Sequence, residues 1–261
     1  DNFKFSRIEH VVIQYGGRSR SGRNNLDIDG GSNFITMAHP IVGLESRFAQ
    51  SDGFRIEDGS SVLVDAVVEE NGRDGISIDD ETTQLTIRNT TVRNNSRAGI
   101  VGRQGGIIRE LSNSTVSGNG GTGIGIFDEA SNPMTFQLNT VENNEGSGII
   151  ANIKSPADTV LTISGNVIRN NSGVAISSSR AIITDNTLEN NAFPIGVRGE
   201  LSRPGTSTNR GNIYKDNVIL SHDIDSVTAI TGNIHGILGA TRPGGYQQNV
   251  LVTTNNIRLA E

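Results

Sequence analysis

Apolar residues fall along this chain in short alternating runs that return at a nearly fixed distance. Leu85-Thr86-Ile87 is followed by Val92 and then Gly99-Ile100; Phe136-Gln137-Leu138 is followed by Val141 and Gly148-Ile149; Leu161-Thr162-Ile163 is followed by Ile168 and Ala175-Ile176. Between these runs stand Asn, Gly, Ser and Asp. The clearest marker is an asparagine pair. Its second member, or the equivalent position, is Asn71, Asn95, Asn119, Asn144, Asn171 and Asn191, in steps of 24, 24, 25, 27 and 20 residues. Three residues before each lies Val68, Val92, Val116, Val141, Ile168 or Leu188, and four residues after the first four lies Gly75, Gly99, Gly123 or Gly148. A recurring step of this size marks a repeat architecture. The apolar period within each run is two, which predicts strands; no apolar pattern at i, i+3 and i+4 lasts long enough for a helix.

Three short strands in each unit cannot bury a face alone. Stacked on their counterparts about 4.8 Å away, they form a parallel β-helix. Fainter units, Ile8–Gly17 with Leu26–Asp29, then Ser46–Ile56, and later those at Asn217 and Asn249, extend the series. The expectation is an all-β solenoid of about nine or ten coils, roughly 45 Å long, forming a single domain over residues 1–261. Both ends read as coil rather than cap, so the chain is expected to be a segment of a larger protein. The second asparagine of each pair is expected at an inward turn, its amide bonded to that turn and to the asparagine of the next coil. The following glycine is expected to supply a turn conformation closed to other residues. The Asn-X-Ser/Thr sequons at Asn89, Asn94, Asn113 and Asn170 read as by-products of this composition.

Composition sharpens the picture. Hydrophobic residues make up 34% of the chain, low for a spherical core, while 32 glycines favour turns. A net charge of -6 argues against a general nucleic-acid binder, which needs a basic field. No apolar run approaches the roughly 18 residues of a membrane span. The absence of cysteine removes disulfides, thiol catalysis and Cys-ligated zinc. His10, His39, His222 and His235 are scattered without metal-ligand spacing.

Units such as "NTVENNEGSGI" (Asn139 to Ile149) give the chain a resemblance to the right-handed parallel β-helix superfamily of pectate lyases, polygalacturonases, NosD-like periplasmic proteins, phage tailspikes and bacterial surface proteins. The resemblance covers nearly the whole chain. It implies a secreted, cell-surface or periplasmic bacterial setting and dealings with glycans. The enzymes' motifs do not match. Asn-Thr runs on to Val141 and Leu188 where the polygalacturonase pattern has Asp, and a chain without tryptophan lacks the Trp-X-Asp-His signature of pectate lyases.

Candidate chemistry lies just past the third strand of each unit. Asp29, then Glu57-Asp58, Asp79-Asp80-Glu81, Arg103 and Asp128-Glu129 would stack on one edge if the coils are in register. Carboxylates about 4.8 Å apart repel, so the row needs a cation, an arginine or a shared proton. Calcium suits such oxygen ligands, with Asp58, Asp79 and Asp80 as candidates. Asp80 and Asp128, two coils apart with Arg103 between them, would sit about 9 to 10 Å apart, near the spacing of an inverting glycosidase pair. A solvated turn edge explains the same residues. Further on, the same turn swells into "RGELSRPGTSTNRGN" (Arg198 to Asn212), and "GATRPGGYQQ" (Gly239 to Gln248) forms another loop; Arg198, Arg203, Arg242 and Tyr246 would receive an acidic glycan there. Aromatic residues are few, and Phe48, Phe54 and Phe136 are expected to point inward. Two functions follow: a structural or adhesive module that binds glycan or protein through its loops, or a polysaccharide hydrolase, lyase or epimerase working from the acidic row.

Overall fold

A computed structural model describes residues 8–15, 24–29, 38–57, 59–80, 83–127, 133–151, 161–178, 181–197, 213–215, 218–220, 251–252 and 256–258. Among them the regular elements are all strands, and each through Thr187–Glu189 pairs in parallel with the strand three places further along. This produces three sheets, here called A, B and C in the order the chain visits them. Sheets A and B hold ten strands each and sheet C eight. The architecture is a parallel β-helix.

The core is built from columns of like residues. On sheet B, Val68, Val92, Val116, Val141, Ile168 and Leu188 pair in succession. On sheet C the column is Phe54, Ile76, Ile100, Ile124, Ile149 and Ile176. Sheet A contributes Leu63, Ile87, Leu111, Phe136, Ile163 and Ile183. All are fully buried, and each such side chain stabilises the fold by roughly 1.5 to 3 kcal/mol. β-branched and aromatic residues suit these positions because they pack on a pleated surface.

The two asparagines of each pair do different work. The second is buried. Asn119 donates through Nδ2 to Asn144 Oδ1 at 2.9 Å, while its own Oδ1 accepts from the backbone N–H and the Nδ2 of Asn95 at 3.1 and 3.0 Å. The same bonds run from Asn71 through to Asn191. The first asparagine is left-handed. Asn94, Asn143, Asn170 and Asn190 have φ between 50° and 56°, a region asparagine tolerates better than most residues. A second left-handed column, at the turn from sheet A to sheet B, includes Asp65, Asn89, Asn113 and Asp185. All four sequon asparagines, Asn89, Asn94, Asn113 and Asn170, occupy left-handed turns.

Three expectations need correction. Gly75, Gly99, Gly123 and Gly148 do not have positive φ. Their role is space: a Cβ on Gly99 would lie 2.5 Å from Val116 Cγ1 and 2.7 Å from the Gly123 carbonyl oxygen. Phe48 does not point inward. It takes φ 56° at the turn after its sheet B strand and stacks on Tyr15, ring centroids 5.1 Å apart. Leu138, read as the end of an inward run, sits in the left-handed column at φ 56° and is 62% exposed.

A second ladder escaped the sequence pattern. At the turn from sheet A to sheet B, backbone N–H groups donate to the side-chain oxygen one coil on, from Thr90 to Ser114, Ser114 to Asn139, Asn139 to Asn166 and Asn166 to Asn186, at 2.9 to 3.1 Å. Replacing Asn119 by Ala leaves buried donors on Asn95 without acceptors, so urea unfolding should show a loss of roughly 1 to 3 kcal/mol. Asn94→Gly, which keeps the left-handed turn, should stay within about 0.5 kcal/mol of the parent. Equal effects at the two positions would contradict this division of roles.

Candidate functional site

Turn lengths differ sharply among the three corners. Sheet A connects to sheet B through two residues in each coil from Ile8 to Leu220. Sheet B connects to sheet C through six residues in the five coils that begin at residues 48, 70, 94, 118 and 143. Elsewhere that connection has eleven residues (15–25), four (170–173) and three (190–192), whereas the turn from sheet A to sheet B, which carries a ladder, keeps its length. The corner from sheet C to sheet A has the widest range, from two residues (58–59, 179–180) through nine (152–160) to fifteen (198–212). That corner is where binding segments can be added without disturbing the core.

The acidic row stands beside this corner, on the outward side of sheet C. Asp29 pairs with Glu57, Glu57 with Asp79 and Asp79 with Arg103, so the expected stacking is formed over these four coils. Beyond Arg103 the row changes. Gly102 pairs with Ile126, which makes Phe127 the next residue in line, its N–H bonded to the Gly102 carbonyl at 3.1 Å. Arg103 is level with Asp79, and Asp80 lies one residue past the row with φ 87°; the expected alignment of Asp80 with Arg103 is not formed. Asp58, Asp128, Arg198, Arg203, Arg242 and Tyr246 lie outside the described residues.

Arginine neutralises the row. Arg55 donates through Nε to Asp79 Oδ2 at 2.9 Å and also pairs with Glu57. Ser77 Oγ donates to Asp79 Oδ1 at 3.2 Å and accepts from Arg103 Nη1 at 3.1 Å. Arg103 Nη2 reaches Asp74 Oδ2 at 2.5 Å. The network thus runs from Glu57 through Arg55, Asp79, Ser77 and Arg103 to Asp74. Both oxygens of Asp79 are engaged by protein donors, and among the described residues no group of three or more His, Cys, Asp or Glu is placed to hold a metal ion.

Sequence reasoning missed Asp52 and Asp74, the buried acids behind this network. Asp74 N–H donates to Asp52 Oδ1 at 3.1 Å, and Ala98 N–H donates to Asp74 Oδ1 at 3.0 Å. They form a short carboxylate ladder at the turn into sheet C. The available signal was the Asp-Gly dipeptide at 52–53 and 74–75, at the position where the later repeat has Ala98-Gly99. Burial pushes the Asp52 carboxyl above its usual value, and the charge of Asp74 adds to this; the Asp74 N–H, Arg73 and Arg103 oppose it. The arrangement can hold a proton on a carboxyl under less acidic conditions than usual.

The family model described as "Right handed beta helix region" matches residues 27–193, more than half of the chain. No curated protein matches. Among solved structures, the crystal structure of pectate lyase Pel9A superposes with a TM-score of 0.50 at 12% identity, over 85% of this chain and 53% of that one. The chain spans about half the length of that lyase, and the likeness is one of fold.

The raised pKa of Asp52 carries a pH consequence. Because its folded value lies above the unfolded 3.8, Asp52 binds its proton more tightly when folded. Its contribution to stability is therefore fully present below 3.8 and is lost as pH climbs through the folded value. Asp52→Asn retains an acceptor for the Asp74 N–H, so this variant should gain stability over the parent as pH rises through that window and keep the gain at neutral pH. Chemical denaturation of both proteins across acidic pH checks this; a difference that does not vary with pH would show that Asp52 titrates normally.

Proposed function

The chain belongs to the right-handed β-helix family, and from that premise we propose that it is a scaffold module of a secreted or cell-surface bacterial protein. It displays segments along the corner between sheets C and A that bind a glycan or another protein. One observation carries this reading: connections at that corner run from two to fifteen residues while those from sheet A to sheet B keep two. The neighbouring charges support it. Asp79 and Asp74 are held by Arg55 and Arg103 from adjacent coils, and Arg55 also pairs with Glu57 of its own strand, so these charges knit the rod together. The segment 198–212, with Arg198 and Arg203, supplies cations suited to carboxylate or sulfate groups of an acidic glycan.

The test is a panel of acidic and neutral polysaccharides, with and without calcium, reading bound ligand and released reducing or unsaturated ends together. Binding without product is expected. Replacing residues 198–212 with the two-residue connection Ser179-Arg180 should weaken binding by more than about tenfold while leaving the melting temperature within a few degrees. Product formation that disappears in Asp80→Asn and Asp128→Asn variants would overturn the scaffold reading in favour of a polysaccharide-processing enzyme. Binding that survives the replacement would move the site off this corner.

A further inference from the structure

The face opposite the variable corner is the outer side of sheet B. Its strands are three residues long, with the first and third side chains outward. The third positions form one column in register: Arg47, Glu69 and Arg93, then Ser117, then Glu142, Arg169 and Glu189. Read outward from Ser117, the two arms carry opposite charge at every step. Arg93 stands opposite Glu142 in this order, Glu69 opposite Arg169, and Arg47 opposite Glu189. The first positions match about the same coil for two steps, with Thr115 at the centre, Thr91 and Thr140 one step away, and Val67 and Val167 two steps away; at the third step Glu45 stands opposite Thr187.

We propose that this face is the interface of an antiparallel homodimer whose two-fold axis runs along the strand Thr115–Ser117. Rotation about that direction reverses the order of coils and keeps each column over itself. Arg93 then meets Glu142, Arg47 meets Glu189, Val67 meets Val167 and Thr91 meets Thr140, while Thr115 and Ser117 meet their own copies; Glu69, opposite Arg169, is itself buried against Arg47 and Arg93. At the axis the adjoining left-handed position is Gly118, so no side chain there holds the copies apart. A parallel arrangement fails this matching, because it lays the first column on the third and sets Val67 against Glu69 and Val167 against Arg169.

The charges are already arranged to be shared. Within one chain, Arg93 and Arg169 donate through Nε to Glu69 at 2.5 Å and to Glu142 at 2.6 Å. Their side chains remain 49% and 43% exposed. Arg47 lies 2.8 Å from Glu69 through Nε, without the geometry of a hydrogen bond. Six coil spacings by a width of four residues give roughly 800 Å² buried over both copies, the low end for specific interfaces. The dimer is therefore weak, concentration-dependent and weakened by salt.

Sedimentation of the full chain over about a hundredfold range of concentration should show a monomer–dimer equilibrium that shifts to monomer in molar salt. The parent has no cysteine, so Ser117→Cys introduces a single thiol on the axis. It should form a disulfide-linked dimer in oxidised glutathione at least tenfold faster than Ser164→Cys, a control on the outer side of sheet A. Chains carrying Arg93→Cys and Glu142→Cys should cross-link with each other when mixed and not with themselves. Three results would overturn the proposal: a monomer at all concentrations, equal rates for the thiols at 117 and 164, or self-linking of Arg93→Cys. The first two would leave the face to solvent or a different partner, and the third would move the two-fold axis from the coil of Ser117 to that of Arg93.

Discussion

A buried asparagine amide brings two donors and an acceptor into a place that water does not reach, and here its partner is the same group one coil away. Asn119 shows the consequence. Its carbonyl oxygen accepts two bonds from Asn95 while its nitrogen donates onward to Asn144 and to the Val92 carbonyl, so no coil satisfies its own turn. The bond closes only when successive coils present asparagine at the same point of the turn. That requirement helps to hold the core columns in register: the sheet C column residue follows five residues after Asn95, Asn119, Asn144 and Asn171, and four after Asn191. Gly99 is a by-product of the same packing, since Asn119 Nδ2 and Val116 leave no room for a Cβ.

Stacking like on like suits amides and alkyl groups but not charges. Carboxylates on adjacent coils repel across about 4.8 Å, and three remedies are present. On sheet B the sign alternates, as in Arg47, Glu69 and Arg93. On sheet C, Arg55 and Arg103 reach across to neighbouring acids. At the turn into sheet C, Asp52 is driven toward its protonated form by burial and by Asp74. The acidic edge is thus held by forces of the kind that hold the rest of the rod.

This explains which features could be read from the sequence. The repeat, the sheet columns and the second asparagine of each pair are legible because they recur at one spacing and in one residue type. The Ser114–Asn139–Asn166 ladder is less legible because Thr, Ser and Asn all provide the accepting oxygen, so the chemistry repeats while the letter changes. The stacking of Asp29, Glu57, Asp79 and Arg103 followed from the period, yet its partners did not: Arg55 and Ser77 reach Asp79 from the second outward position of their strands, a relation between neighbouring columns that one-column alignment omits. Phe48 and Leu138 were misplaced because left-handed turn positions ordinarily hold Asn, Asp or Gly, and apolar residues there imitate the end of a strand.

In a three-sided coil, the corner between sheets C and A lies opposite sheet B, and the chain treats the two oppositely. Lengths vary at the corner, whereas every turn from sheet A to sheet B between Ile8 and Leu220 has two residues. An insertion in the turn from sheet A to sheet B would interrupt its ladder; an insertion at the far corner leaves that ladder intact. Two rods joined back to back through sheet B would carry their variable corners on opposite outer edges, each open to ligand. Reversal of one rod would also set the two series of connections in opposite order. Such a pair would engage an extended polymer on each side without either copy obstructing the other. The bare face and the crowded corner then go together: the turn from sheet A to sheet B keeps its ladder and its length, and the longest connection lies at the far corner.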